Sequence, residues 1–401
     1  MKISVINARY SHGGAGIIAR DVARGMAQKG HAVQFVCVGR SDKEYEEYGY
    51  QVKELPQKYS NPVYHYFNPV LLGRLKLVLD DFRPDAIHIH NINLKTFSLL
   101  ALLFSLKYPM VWTLHDIWAL CMTGWPIPAD CRGYLDRCKS CPTWPNPLVR
   151  LNKHFKELSF RIAKLSVVCP SQWLASLLVN SNLNNQRVFT VYNGIDTSLF
   201  VPVGQAGLAN SSDLQPYKKY ILFPGGKSLA GLDPAWRKGW HSLATALELV
   251  SMKRKDIHLL FVGDPIELTE NFPVPVSFLK GVERKEMPSL YKAADLFILP
   301  SVADHPALTI LEAMACKVPV IATDSGGIPE AVIHRETGWL CPPQKPETLA
   351  AAIEALLSDP ILANQLADRA YNYVRNNFSF ERMINNYEAV YKRTITERRF
   401  S

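Results

Sequence analysis

The sequence of 401 residues has no hydrophobic run long enough to cross a lipid bilayer. Its longest run, "FSLLALLFSL" at residues 97–106, is about half of what a membrane-spanning helix needs. The opening residues, "MKISVINARY", contain an apolar run too short for the core of a secretory signal. We therefore expect a cytoplasmic protein that neither crosses a membrane nor carries a visible export signal.

The sequence also lacks the basic blocks of nucleic-acid-binding tails and the dinucleotide fingerprint G-x-G-x-x-G. Lys and Arg number 45 against 36 Asp and Glu, and the net charge of +9 favours an anionic partner such as a ligand phosphate or a lipid headgroup. Because this charge is scattered along the chain, nucleic acid is not expected as a partner. The turn after the first apolar run reads "SHGGAG", which does not match the dinucleotide spacing.

Apolar runs of strand length are plentiful, and helical patterns separate them. The first half has "ISVIN", "HAVQFVCVG", "DAIHIHN", "MVWTLHD", "LSVVCPS" and "RVFTVYNG", and the second half has "YILFPGG", "DIHLLFVGD", "VSFLKGV", "DLFILPS", "VPVIATD" and "GWLCPP". Runs without strict alternation indicate parallel strands covered on both faces. Two such series in a chain too long for one core predict two doubly wound α/β domains.

The predicted boundaries follow changes in composition. We place a first Rossmann-like domain at residues 1–200 and a linker rich in Gly, Pro, Ser and Asn at 201–217. A second Rossmann-like domain follows at 218–376, and a C-terminal helix at 377–401 is expected to pack back towards the first domain. Since ligands of such sheets bind beyond the carboxyl ends of the strands, two facing domains would form a cleft there.

Two loops of the first domain contain residues suited to ligand contact. Gly13 and Gly14 would let backbone N–H groups approach an anion at a helix start, although a tight turn alone explains them equally well. His115 directly follows a strand, where an imidazole can bond a hydroxyl or orient a reacting group. A histidine there is also commonly a structural hydrogen-bonding residue.

Cations precede the first helix of the second domain. Arg237 and Lys238 lie in "WRKGW", and Lys227 follows the glycine pair of "YILFPGGK". Positive charge at a helix N-terminus opposes the helix dipole, so local stability does not account for these residues. An anionic ligand bound by these cations together would account for them.

The stretch "LPSVADHPALTILEAMA" contains a carboxylate in a loop and another in the following helix. Asp304 alone fits a helix N-cap, and Glu312 alone fits a solvated helix face. The stretch "VIATDSGGIPEA" adds a second Gly-Gly turn after a strand, with a helix expected from Ile328 or Pro329. Taken as a set at the carboxyl ends of neighbouring strands, these loops indicate a ligand site.

In their order along the chain, these segments resemble the retaining nucleotide-sugar glycosyltransferases of family 4. The matching motifs are "GGAG", "TLHD", "YNGID", "RKG", the D-x7-E stretch, "EAMA", "VPVIATDSGGIPEAV" and "TGWL". Within the family, "TLHDIW" followed by cysteines looks like the bacterial exopolysaccharide and colanic-acid-type transferases. The resemblance implies the GT-B fold, in which two Rossmann-like doubly wound parallel-sheet domains face each other across a cleft. It also implies that the domain at residues 1–200 binds the acceptor and that the domain at 218–376 binds the nucleotide sugar.

The resemblance also implies residue roles. Glu312 would hold the ribose of the nucleotide, Asp304 would lie near hydroxyls of the donor sugar, and His115 would lie near the reacting sugar and the acceptor. Lys238, with Arg237 or Lys227, would neutralise the diphosphate. The implied catalytic residues are His115, Lys238, Asp304 and Glu312. The implied donor-binding residues are Gly13, Gly14, Gly225, Gly226, Lys227, Arg237, Lys238, Asp304, His305, Pro306, Ala307, Leu308, Thr309, Glu312, Ser325, Gly326 and Gly327.

Three positions depart from the family pattern. The family usually has Glu where Asp304 stands and often has Gly where Lys317 stands. The usual Gly-Arg after the first strand of the second domain is replaced by "GGKS", so the role of that Arg falls to either Lys227 or Arg237.

The implied function is retaining transfer of a sugar from a UDP- or GDP-sugar to a glycan or lipid-linked acceptor in bacterial surface polysaccharide biosynthesis. Cations that stabilise charge on the leaving diphosphate would supply the catalysis, with attack from the front face. No Asp-x-Asp motif is present, so no cofactor or catalytic metal is implied. The alternatives are a non-catalytic nucleotide-sugar-binding partner of another transferase and, less favoured, a nucleotide-dependent epimerase or dehydrogenase.

Four cysteines cluster after His115, and two of them have the C-x2-C spacing of zinc ligands. They predict either a structural zinc or other metal site, or free thiols or a local redox bridge. The four are Cys121, Cys131, Cys138 and Cys141.

The segment "LNKHFKELSFRIAKL" has the pattern of a basic amphipathic helix. Its apolar positions predict a face packed on the sheet, and its basic positions favour contact with an anionic membrane that holds a lipid-linked acceptor. The apolar set is Leu151, Phe155, Leu158, Ile162 and Leu165, and the basic set is Arg150, Lys153, Lys156, Arg161 and Lys164.

Overall fold

A computed structural model describes most of the chain: residues 1–10, 13–57, 68–91, 107–121, 154, 156–179, 181, 183–202, 218–226, 237–264, 272–302 and 304–399. It divides into two compact units. The first, here the first domain, consists of Met1–Asn193 together with Phe380–Ser401, and the second domain is Gly194–Ser379. Residues 194–200, assigned to the first domain from the sequence, thus lie in the second.

The first domain contains a sheet in the order β3-β4-β2-β1-β5-β6-β7-β8. Every neighbouring pair is parallel except β3 and β4, which are antiparallel. The strands are β1 (Lys2–Ile6), β2 (Ala32–Gly39), β3 (Lys43–Glu47), β4 (Tyr50–Pro56), β5 (Ala86–Ile89), β6 (Met110–Thr113), β7 (Leu165–Cys169) and β8 (Arg187–Thr190).

The second domain contains a parallel sheet in the order β11-β10-β9-β12-β13-β14. The central strands are buried on both faces, which explains their continuous apolar sequences. The strands are β9 (Lys219–Gly226), β10 (Ile257–Gly263), β11 (Val276–Leu279), β12 (Leu296–Leu299), β13 (Val320–Thr323) and β14 (Trp339–Cys341).

Helices cover both sheets, and several begin at a side-chain cap. Asn68 accepts a hydrogen bond from the Leu71 N–H, and Asp359 accepts one from the Leu362 N–H. The helices are α1 (Gly13–Gln28), α2 (Pro69–Phe82), α3 (Gln172–Leu178), α4 (Trp240–Ser251), α5 (Met287–Ala293), α6 (Leu308–Ala315), α7 (Pro346–Ser358), α8 (Pro360–Asn377) and α9 (Phe380–Arg399).

Helix α9 completes the core of the first domain. The Tyr391 hydroxyl lies 2.5 Å from Nδ1 of His88, and the Tyr387 hydroxyl lies 3.0 Å from Oγ1 of Thr113. Thr394 donates a 2.7 Å hydrogen bond to the Ser166 hydroxyl on β7. The last helix of the chain is therefore joined by buried polar contacts to three strands of a sheet that begins at the first residues.

The predicted parallel α/β architecture is confirmed, with one element missed and one local prediction wrong. The hairpin of β3 and β4 was not predicted, because the β3 sequence "KEYEE" is charged and largely exposed. The helix expected from Ile328 or Pro329 is only a short 3-10 turn, Ile328–Glu330. None of the helices in the described part of the chain combines the length and the hydrophobicity that a membrane span requires.

The packing predicted for the basic amphipathic segment is also wrong. Residues 156–162 are helical, but Leu158 and Ile162 are 49% and 47% exposed, while Lys156 is only 2% exposed. The Lys156 ammonium group donates to the backbone carbonyls of Trp118 and Cys121 and lies over the Trp118 ring. Leu165 belongs to β7, and Leu151, Phe155, Arg150 and Lys153 lie outside the described residues.

Candidate active site

The loops at the carboxyl ends of β9, β12 and β13 come together in the second domain. The Val302 N–H, in the loop after β12, donates a 3.0 Å hydrogen bond to the Arg237 carbonyl. Gly239 has a positive φ of 78°, and a Cβ there would lie 1.8 Å from the carbonyl oxygen of Pro300. The "RKG" motif is therefore packed directly on the loop that contains Asp304, and Gly239 is required by both conformation and space.

The Gly-Gly turn after β13 is joined to the same loop. The Gly327 N–H donates a 2.7 Å hydrogen bond to the Asp304 carbonyl. Gly326 has a φ of 60°, and a Cβ there would lie 2.1 Å from that oxygen. Ser325 donates to the Ser301 carbonyl at 3.0 Å. These contacts fix the position of Asp304 relative to the turn.

Glu312 lies in α6 and is only 4% exposed, so it does not occupy a solvated helix face. The Tyr291 hydroxyl donates a 2.9 Å hydrogen bond to its Oε2, and Nε of Arg284 lies 3.5 Å from its Oε1. Burial and the nearby carboxylate raise the pKa of Tyr291 well above its ordinary value, which keeps this phenol a donor. Oε2 is therefore oriented by a hydrogen bond, and Oε1 lies within ion-pair distance of a guanidinium group.

Lys238 is a cation that interacts electrostatically with both Asp304 and Glu312. Burial of its ammonium group, reinforced by Arg237, lowers the pKa of Lys238 from its ordinary 10.5 to about 8, against the opposing effect of Asp304 and Glu312. A cation with a lowered pKa that interacts with two carboxylates is a typical feature of functional sites. An incoming phosphate would favour the charged form.

Helix α6 begins at Leu308 without a side-chain cap. Its N-cap position is Ala307, which makes no side-chain capping hydrogen bond, so Asp304 is not the cap that its sequence position suggested. Uncapped N–H groups at a helix start can bind an anion, and Leu308 and Thr309 occupy that first turn.

Asp304 is itself buried, and its Oδ1 lies 3.9 Å from Nδ1 of His305. Burial lowers the pKa of His305 in spite of the Asp304 carboxylate. Pro306 is buried between these residues and the helix start.

In the first domain, His115 follows β6 and His90 follows the neighbouring strand β5. Nδ1 of His90 lies 2.8 Å from Nε2 of His115, and the two rings are stacked with centroids 5.1 Å apart. Gly13 begins α1 with a φ of 70°, and Gly14 follows it in the same first turn. The structure thus places His115 in a histidine pair, a contact that the sequence did not predict.

For several of the predicted site residues, the structure gives no evidence of contact with a ligand. Gly225 is explained by packing, because a Cβ there would lie 2.0 Å from the Phe261 ring. Gly226 ends β9, and Lys227 lies outside the described residues. Cys121 packs at the edge of the first core, whereas Cys131, Cys138 and Cys141 lie outside the described residues, so the metal site stays a prediction.

Three residues of these sites were missed by sequence reasoning: Arg284, Tyr291 and His90. Arg284 and Tyr291 stand 28 and 21 positions before Glu312, and nothing in that spacing indicates contact. The second histidine of "HIHN" was the one available signal, because it ends a strand-length apolar run as His115 does.

Two family models match this chain. "Glycosyl transferases group 1" matches residues 234–373, and "Glycosyltransferase Family 4" matches residues 12–199. Together they cover most of both domains, and both describe sugar transfer. This chain is a glycosyltransferase with the GT-B fold.

Similar proteins agree with that identification. The N-acetyl-alpha-D-glucosaminyl L-malate synthase of Bacillus anthracis is 26% identical over 98% of this glycosyltransferase and 97% of its own length. The D-inositol 3-phosphate glycosyltransferase of Rhodococcus erythropolis is 30% identical over 49% of this chain and 46% of its own.

Solved structures show the same fold at low identity. The sucrose-phosphate synthase of Thermosynechococcus elongatus has a TM-score of 0.76 at 19% identity and covers 99% of both chains. Anabaena HepE in complex with UDP-glucose has a TM-score of 0.68 at 19% identity, covering 97% of this glycosyltransferase and 99% of HepE.

Proposed function

We propose that this glycosyltransferase takes a sugar from a UDP- or GDP-sugar, with retention of anomeric configuration, and transfers it to a glycan or lipid-linked saccharide. The observation that carries the proposal is Glu312, a buried carboxylate that accepts a hydrogen bond from Tyr291, forms an ion pair with Arg284 and interacts electrostatically with Lys238. An oriented carboxylate can accept one hydrogen bond from each of the two hydroxyls of a ribose. A nearby cation suits the diphosphate.

The chemistry follows from these residues. As the bond between the anomeric carbon and the leaving oxygen breaks, negative charge grows on the diphosphate. Lys238, Arg237 and the uncapped N–H groups at the start of α6 would stabilise that charge. Asp304 would bond the hydroxyls of the donor sugar and orient it. Front-face attack would let the leaving phosphate take the proton of the acceptor hydroxyl, so that the protein supplies no general base.

The donor assignment is tested by thermal stabilisation with UDP, GDP, ADP, CMP and NAD. A ligand that binds only the folded chain adds about 2.7 kcal/mol to stability at 100 times its Kd. We expect UDP or GDP alone to stabilise the wild type, and Glu312→Gln to reduce that shift. Glu248→Gln, an exposed change in α4, is the matched control. Stabilisation by NAD alone, or by no nucleotide, would contradict the donor site.

The stereochemistry needs a separate measurement. Proton NMR of the first product formed from a donor of known configuration distinguishes retention from inversion. Retention supports front-face attack. An inverted product would require an enzymic base and would contradict this mechanism.

We also propose that the acceptor is membrane-bound and that the enzyme acts at the inner face of a bacterial membrane, in surface polysaccharide synthesis. The support is the exposed surface formed by Leu158, Arg161, Ile162 and Lys164, which combines apolar and basic side chains. Such a surface suits an anionic lipid interface. The L-malate and inositol phosphate in the names of the relatives make a small soluble acceptor the competing outcome.

A further inference from the structure

A pair of histidines in the first domain has a defined proton arrangement. Nδ1 of His90 and Nε2 of His115 lie 2.8 Å apart, so one nitrogen carries the shared proton and the other accepts it. Neighbouring groups restrain His90 near this contact. Its ring centroid lies 4.0 Å from that of His88, and its backbone carbonyl accepts a 3.0 Å hydrogen bond from the indole of Trp112.

The position of the proton follows from the other nitrogen of His90. Nε2 of His90 is buried and has no hydrogen-bond partner among the described residues. Burial and the two neighbouring histidines hold the pKa of His90 well below its ordinary value, so its ring is neutral and carries one N–H. A proton on Nε2 would leave a buried N–H unpaired, whereas a proton on Nδ1 leaves only a lone pair there. Unpaired buried N–H groups are the rarer of the two.

We propose that His90 is a positioning residue that donates its Nδ1–H to Nε2 of His115 and thereby holds neutral His115 in its Nδ1–H tautomer. His115 then presents an N–H to substrate. It acts as a hydrogen-bond donor to a sugar or acceptor oxygen, and not as the base that removes the acceptor proton. This inference rests on the proposed function, in which the leaving phosphate takes that proton.

The strand arrangement explains why a second histidine is needed. β5 and β6 are parallel neighbours with Ile89 opposite Trp112, so the residues that follow them leave the same edge of the sheet. An imidazole in water exchanges between its two neutral tautomers, and a hydrogen bond at one ring nitrogen selects one of them. A buried donor at fixed distance removes that freedom.

The test is the tautomer of His115, measured by two-bond proton–nitrogen NMR correlation on the full chain labelled with ¹⁵N-histidine. The signals of His115 are assigned by their loss in His115→Gln. In the wild type we expect Nε2 to show the shift of an unprotonated nitrogen and Nδ1 that of an N–H. A wild-type His115 protonated at Nε2 overturns the proposal without any variant being made.

Two substitutions at position 90 sharpen the test. His90→Leu removes the donor, so His115 should move towards the Nε2–H form and transfer should fall roughly 10- to 100-fold, the range for one lost hydrogen bond to an active group. In His90→Asn the amide nitrogen is bonded to Cγ, as Nδ1 is in histidine, so it can still donate a hydrogen bond to His115. This variant should keep the wild-type tautomer and most of the activity. An unchanged tautomer in His90→Leu overturns the proposal.

Controls separate this inference from the proposed function. His258→Leu removes a histidine that bonds Ser277 at 2.9 Å in the second domain, and it should alter neither the His115 spectrum nor the donor-dependent stabilisation. If the tautomer behaves as expected but His115→Gln transfers sugar at the wild-type rate, His90 still sets the tautomer, and the role of His115 towards substrate is overturned.

Discussion

The Tyr291 hydroxyl donates a 2.9 Å hydrogen bond to Oε2 of Glu312. Tyr291 is fully buried, and the contact spans from α5 to α6. A tyrosine in this position does more than fill the core, because it fixes the carboxylate that we assign to the ribose.

Tyr291→Phe tests that relationship by removing only the hydroxyl. We expect a loss of about 1.5–3 kcal/mol of stability, since a buried carboxylate loses a hydrogen-bond donor. We also expect a higher KM for the donor with a smaller change in kcat. Tyr373→Phe is the matched control, because its hydroxyl bonds the Glu330 carbonyl in a half-buried position. Equal donor KM values in Tyr291→Phe and the wild type would show that Glu312 does not depend on this bond.

The pH dependence of transfer tests Lys238. Because its pKa is about 8 in the free enzyme, kcat/KM should fall as the pH rises through about 8, where the ammonium group loses its proton. Lys238→Arg should remove this alkaline limb, since a guanidinium stays charged. The same limb in the arginine variant would assign the titration to another group.

Stability should show the opposite pH trend at the same residue. The pKa of Lys238 is lower in the folded chain than its ordinary 10.5, so the unfolded chain binds more protons between about pH 8 and 10.5. Stability contributed by this group therefore rises with pH across that window. The difference in Tm between wild type and Lys238→Met, followed from pH 7 to 10, should change in favour of the wild type. A constant difference would mean that Lys238 has an ordinary pKa.

Gly326→Ala tests the joined loops at the donor site. Its φ of 60° and the 2.1 Å approach to the Asp304 carbonyl should cost the strain of a left-handed residue, about 1–2 kcal/mol, plus about 1–3 kcal/mol for the displaced loop. Gly281→Ala is matched in conformation, with a φ of 65° and no described atom within 4 Å of the added carbon. It should lose stability through strain alone and keep donor affinity. Equal effects of the two changes would remove the argument for close loop contact.

Vesicle sedimentation tests the membrane surface. We expect binding to vesicles that contain anionic phosphatidylglycerol and little binding to neutral phosphatidylcholine, with a loss of binding in the double variant Leu158→Ser, Ile162→Ser. Met252→Ser removes an apolar side chain from the second domain that is more exposed, at 70%, than Leu158 or Ile162, and it should bind normally. Full transfer to a soluble acceptor without any vesicle binding would favour the small-acceptor alternative.

The strands of both sheets could be predicted from sequence because burial on both faces leaves a continuous apolar run, as in "LFIL" of β12. The edge strand β3 could not, since its pairing is made by backbone groups and its side chains stay charged. Periodicity in residues 156–162 indicated a helix but not which face packs, and the buried ammonium of Lys156 depends on carbonyls 35 or more residues away.

Some residues of the candidate site could likewise be predicted from the sequence, and others could not. Residues that follow strands, such as Lys238 and Asp304, were found because the topology sends those loops to one edge of the sheet. The partners that orient Glu312 were not, because contact between α5 and α6 is a property of tertiary packing. Histidines at the ends of adjacent strands show the same limit: their distance of 2.8 Å follows from strand register and not from the residue types.

Helix α9 gives the first domain an unusual order of completion during protein synthesis. The strands bearing His88 and Thr113 emerge early, but Tyr387 and Tyr391 follow only after all of Gly194–Ser379 has been made. At ordinary rates of translation that interval is about 10–40 s. The second domain can therefore fold first on the ribosome, although it is second in the chain. Until α9 has been made, β5 and β6 of the first domain lack the helix that packs on them.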